Sequence, residues 1–92
     1  MTIKNIKNVC SILRNTCTAE DPRLSSVFVE VTMYVETGEL ETYEHTDAHS
    51  RIELDEGEIH VATYGYAAKM STIREDAERA LREYNMRKEL YR

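Results

Sequence analysis

Between Val27 and Glu36 the chain alternates with period two. Val27, Val29, Val31, Met33 and Val35 fall on one side, and Phe28, Glu30, Thr32, Tyr34 and Glu36 on the other. This is the mark of a strand with one apolar face. Thr37-Gly38 predicts a tight turn, and Glu39 to His45 a returning strand. A two-residue loop would set Val35 opposite Leu40 and Met33 opposite Thr42. On the polar face it would pair Tyr34 with Glu41, Thr32 with Tyr43 and Glu30 with His45. A second hairpin is predicted around Glu56-Gly57, joining Ser50–Asp55 to Glu58–Tyr66. There Ile52 would face Val61 and Leu54 would face Ile59, with Glu53 opposite His60 on the other side.

Helical spacing flanks these strands. Ile3, Ile6, Cys10, Leu13 and Cys17 step by three or four, with Val9 beside them, and Thr2 is placed to cap the start. Thr18 to Ser26 reads as a loop turning at Asp21-Pro22. Thr72-Ile73-Arg74-Glu75 has the form of a capping box opening a last helix. Its buried stripe would be Ile73, Ala77, Ala80, Leu81, Tyr84 and Tyr91. Glu75–Arg79, Glu78–Arg82 and Glu83–Arg87 are spaced as i,i+4 ion pairs. Met86 and Leu90 lie off that stripe, placed for a partner, a second copy or a frayed last turn. The expected fold is a single α+β domain over residues 1–92: an N-terminal helix, a four-stranded antiparallel sheet of two hairpins covered on one side, and a C-terminal helix.

A chain of 92 residues builds one modest core, with little room for an enclosed active site. No apolar run approaches the ~18 residues of a membrane span, and the segment Met1–Lys7 lacks the features of a signal peptide. Cys10 and Cys17 are two helical turns apart, roughly 10 Å along the axis. A disulfide needs Cα atoms within about 7 Å, so two reduced, packed thiols in a cytosolic compartment are expected.

Charge changes the picture more. Residues 24–68 hold Glu30, Glu36, Glu39, Glu41, Glu44, Asp47, Glu53, Asp55, Glu56 and Glu58 against one base, Arg51, while both flanking segments are mildly basic. Like charges flanking tight turns cost up to about 1 kcal/mol per pair. The concentration therefore points either to attraction of a basic partner, such as a surface that normally holds nucleic acid, or to soluble, unpaired sheet edges. Tyr34, Tyr43 and Tyr64, with Phe28 and Tyr66, fall among these carboxylates as candidate interface aromatics or as cross-strand packing. Lys4, Lys7, Asn8 and Arg14 share one face of the first helix with no acid among them. With Arg87 and Lys88 they are candidates for contacting RNA, or simply solvated faces.

Catalytic signatures are absent: there is no phosphate-binding glycine loop, nucleophile elbow or HExxH. His45-Thr46-Asp47-Ala48-His49 brings three metal-ligand types into one short loop, yet no cysteine pair stands at metal spacing and a solvated turn is expected. Glu53 opposite His60 resembles an acid–base pair but lacks a pocket and nucleophile, so a cross-strand ion pair is expected. Neither an enzyme activity nor a cofactor is expected, and no small-molecule substrate. The competing functions are a protein-directed inhibitor of a nucleic-acid machine, a small nucleic-acid-binding regulator using the basic helix faces, and a metal protein using His45, Asp47, His49 and His60.

Three stretches carry a resemblance: Met1-Thr2-Ile3-Lys4-Asn5-Ile6-Lys7-Asn8-Val9-Cys10, Glu36-Thr37-Gly38-Glu39-Leu40-Glu41, and Tyr84-Asn85-Met86-Arg87-Lys88-Glu89-Leu90-Tyr91-Arg92. They resemble a phage anti-CRISPR protein directed at the type I-F system. The resemblance implies an inhibitor working in the cytoplasm of the infected bacterial host. It would dock on the backbone subunits of the crRNA-guided surveillance complex, with the large subunit or guide RNA also in reach, and keep target DNA from hybridising. No specific contact residue is carried over.

Overall fold

A computed structural model describes residues 2–18 and 21–90. In chain order they form helix α1 (Ile6–Thr16), a short 3-10 turn (Pro22–Leu24), strands β1 (Phe28–Tyr34), β2 (Glu39–His45) and β3 (Glu58–Tyr64), and helix α2 (Met70–Leu90). The α+β class is as expected, but the sheet has three strands in the order β2-β1-β3, all antiparallel. Residues 50–55 do not form a strand. The expected second hairpin does not form, because the connection after β2 has to reach the far side of β1, and residues 50–55 are spent on that crossing instead of pairing with β3. Leu54, expected in the core, is 40% exposed.

The first hairpin forms two residues out of the expected register. Met33 pairs with Leu40 and Tyr34 with Glu39, across a four-residue loop, Val35–Gly38. Gly38 closes it at φ 75°, where a side chain is disfavoured, and its N–H donates to the Tyr34 carbonyl at 2.8 Å. A shift of two keeps every side chain on its expected face.

β3 departs further. Val31 pairs with Ala62 but Thr32 with His60, so Val61 is an extra residue, a β-bulge. The bulge reverses the strand's alternation. Glu58 and His60 stay on the polar face with Thr32, while Tyr64 crosses to the core face opposite Val29. Tyr64, expected at an interface, is 2% exposed. Its hydroxyl donates to Asp76, and its ring meets Tyr66 edge-on, centroids 6.0 Å apart.

The core lies between the sheet and the helices: Val29, Val31, Met33, Leu40, Val61 and Tyr64 below, and Ile6, Val9, Cys10, Leu13, Ile73 and Ala77 above. α1 begins at Ile6, not after a Thr2 cap, because residue 4 is drawn into the sheet edge. The Lys4 N–H donates to the Gly38 carbonyl at 2.8 Å, and the Leu40 N–H to the Lys4 carbonyl at 3.3 Å. Asn5 turns the chain into the helix at φ 72°, a conformation asparagine tolerates better than most. Cys10 and Cys17 are buried free thiols; burial first, then the Glu44 charge, pushes the Cys17 thiol pKa up.

α2 starts at Met70, two residues before the expected capping box. Ile73 and Ala77 are buried, Ala80, Leu81 and Tyr84 only half-buried, and Met86 and Leu90 exposed. Tyr91 lies outside the described residues. The one ion pair within α2 among the described residues joins Arg79 to Asp76 at 2.7 Å, not to Glu75. No helix among them is long and apolar enough to cross a membrane.

Candidate functional site

β2 and β3 flank β1 on opposite sides, so the connection 46–57 must cross the sheet. It crosses the polar face, away from the helices, because it bonds to Glu30 and Tyr34 there. The sheet is thus covered on both sides along β1. Glu30, 1% exposed, accepts at its Oε1 from His45 Nε2 at 2.8 Å and from the Ile52 N–H at 3.0 Å, and at its Oε2 from His60 Nδ1 at 3.0 Å. Burial raises the Glu30 pKa, but the bonds from His45, Ile52 and His60 outweigh it and hold the group below its ordinary value. An ionised carboxylate only accepts, so each facing ring nitrogen carries a proton.

Glu58 is buried beside it. Thr32 Oγ1 donates to its Oε2 at 2.7 Å and Tyr43 Oη at 3.3 Å, while the Asp55 N–H donates to Oε1 at 2.9 Å. Burial, followed by the Glu58 charge and bond, raises the Tyr43 pKa. Glu30 and Glu58, both named as candidate interface acids, are therefore committed inside the protein. The expected Glu53–His60 pair is replaced by Glu30–His60, and Glu53 is exposed on the crossing segment. His45 turns to Glu30 while Asp47 Oδ1 accepts the His49 N–H at 2.9 Å, so the 45–49 loop does not converge. Among the described residues no three His, Cys, Asp or Glu side chains gather as metal ligands.

The remaining carboxylates sort by position. The Val35 N–H donates to the Gly57 carbonyl at 2.9 Å and ties the β1–β2 turn to the turn before β3. Glu36, Glu39 and Glu56 are thereby brought to one end, along an open groove of about 880 Å³. Tyr34, Val35, Leu81 and Tyr84 supply its apolar surface, and Asn85 and Lys88 complete the helical wall. The Tyr34 hydroxyl donates to Asp55 Oδ2 at 3.0 Å. That bond, then burial and the Glu58 charge, push the Tyr34 pKa up to about 12.

Glu41 is half-buried on β2, and Glu44, Asp47 and Glu53 are exposed outside the groove. Lys4, Lys7, Asn8 and Arg14 are exposed on or just before α1, and Arg87 near the end of α2. Of the basic candidates only Lys88 joins the groove. Tyr84, expected in the core, is half-buried and lines the groove, while Leu81 packs against the core as expected and lines the groove as well. Leu81, Tyr84, Asn85 and Lys88 fall at i, i+3, i+4 and i+7, a face legible in the sequence once the sheet is known to end beside it.

No protein-family model matches this chain, and neither a characterised protein nor a solved structure matches it.

Proposed function

We propose that this protein is a non-catalytic inhibitor of the type I-F crRNA-guided surveillance complex. It docks on the repeated backbone subunits, with the large subunit and guide RNA in reach, and stops target DNA from hybridising. It acts in the cytoplasm of the infected bacterial host and uses no cofactor and no small-molecule substrate. The observation that carries the reading is the gathering of Glu36, Glu39 and Glu56 at one end by the bond between Val35 and Gly57. Negative charge on two mutually braced turns suits a groove of lysines and arginines built to hold DNA. The resemblance of the opening, the 36–41 hairpin and the tail to type I-F anti-CRISPR proteins names the target. Lys4, Lys7, Asn8 and Arg14, exposed at and before α1, supply the opposite sign that a ribonucleoprotein also presents.

The test is copurification with the purified complex, followed by target-duplex binding in a gel shift. The wild-type chain is expected to bind the complex and abolish duplex binding. The triple variant Glu36→Lys, Glu39→Lys, Glu56→Lys is expected to lose that effect with its circular dichroism unchanged. Inhibition undiminished by the triple variant would remove the acidic end from the account. Failure of the wild type to bind the complex would remove the target. A shift of RNA or DNA by the protein alone would favour a nucleic-acid regulator working through α1.

A further inference from the structure

Resting on the proposed inhibitory role, we infer that the groove between the two tied turns and the second half of α2 is a receptor for arginine side chains on a protein segment. Two kinds of surface meet there. The α2 wall carries Leu81 and Tyr84, the end of the sheet opposite it carries Tyr34, and the rim carries Glu36, Glu39 and Glu56 against a single lining cation, Lys88. Aromatic faces beside carboxylates suit a guanidinium above other ligands. Its plane stacks on a tyrosine ring while its fork of N–H donors meets a carboxylate. A lysine ammonium satisfies the charge but not the stacking, and a nucleic-acid phosphate meets repulsion from all three glutamates. Tyr34 is set in advance, because its hydroxyl is held by Asp55, whose N–H is in turn held by Glu58. The turns that carry the glutamates are fixed to each other by Val35 and Gly57. A receptor ordered before binding gives up little side-chain freedom on engagement.

The experiment is an NMR titration of the isotope-labelled chain with three probes: a capped hexa-arginine peptide, a capped hexalysine peptide and a six-nucleotide thymidine strand. The arginine peptide is expected to shift the amides of Gly38, Gly57 and Asn85 and to bind several-fold tighter than the lysine peptide. Glu36→Gln with Glu39→Gln should weaken it by roughly tenfold, as the loss of two partly exposed charge pairs implies. Tyr84→Leu, which keeps an apolar side chain on the helix, should erase the preference for arginine over lysine. Absent binding, equal binding of the two peptides, shifts centred on Glu44, Asp47 or Glu53, or occupation of the groove by the thymidine strand would each overturn the inference. These readouts need no surveillance complex. A chain that binds the arginine peptide here but does not inhibit the complex keeps the receptor and loses the proposed target, and the reverse result does the opposite.

Discussion

His45 Nε2 lies 2.8 Å from Oε1 of Glu30, a carboxylate almost sealed from water at the middle of the sheet. His45 sits on one edge strand and Glu30 on the central one, and the same carboxylate is met by His60 from the other edge strand and by Ile52 from the segment above. One side chain thus ties together three strands and the chain that crosses them. Removing one member of such a buried set strands its partners. Glu30→Ala is expected to destabilise the fold by about 3 kcal/mol, read as a lowered urea midpoint. A loss indistinguishable from that of an exposed control such as Glu53→Ala would contradict the network's role.

The same group sets an acid dependence. Its folded pKa is depressed, so it stabilises the fold above its unfolded pKa of about 4.3. That contribution is lost as pH falls through the lower folded value, because the unfolded chain then binds the extra proton. Melting temperature should drop between about pH 5 and pH 2, and the drop should be shallower in Glu30→Gln. Parallel curves for the two proteins would show that other carboxylates carry the acid transition.

Tyr34 makes the alkaline counterpart. Its folded pKa, pushed up to about 12, exceeds the ordinary value near 10. Its contribution is therefore present below about pH 10 and is lost as pH rises through 12. Ultraviolet titration of the wild type against Tyr34→Phe isolates this phenol. Asp55→Asn should bring its titration back toward the ordinary value, since the bond to Asp55 is the leading cause of the shift.

Gly57 sits at φ 81°, and a Cβ added there meets nothing within 4 Å. Gly57→Ala therefore isolates backbone strain from packing. A loss of about 1–2 kcal/mol is expected, visible in denaturant unfolding, with a weakened groove because Gly57 also holds Val35. A neutral substitution would show that the turn relaxes without penalty.

Both thiols are buried, and that of Cys17 is raised in pKa, so both should resist a disulfide reagent in the native state and react fully in denaturant. A rapid native reaction at either would place that cysteine at a surface.

Much of this arrangement was legible in the residues. Period two over 27–36 located β1, and the steps of three and four from Ile6 to Leu13 located the buried face of α1. Other parts were hidden for physical reasons. Ile52 and Leu54 alternate as a strand would, yet the strand order sends this segment across the sheet from β2 to β3, and the Ile52 N–H goes to Glu30 and not to a neighbouring strand. The bulge at Val61 reverses the parity of the residues after it, so no alternation count from Glu58 places Tyr64 in the core. Glu30 reads as solvent-facing because its neighbours on that side are polar. Only the strand order reveals that the connecting chain must pass over it. The groove was half legible: turns flanked by glutamates stand out, but the bond from Val35 to Gly57 that unites them is a tertiary fact.

The passage of 46–57 over β1 also bears on how the molecule assembles. β1 finds β2 across a four-residue turn, a fast local event, whereas β3 docks only after a long excursion of the chain has closed. The Glu30 cluster takes a donor from each arm, so it matures in that late step, and the braced end with its glutamates matures with it. A nascent chain interrupted before β3 has the residues of the β1–β2 hairpin and of α1 but lacks the Gly57 tie that completes the acidic end proposed to bind.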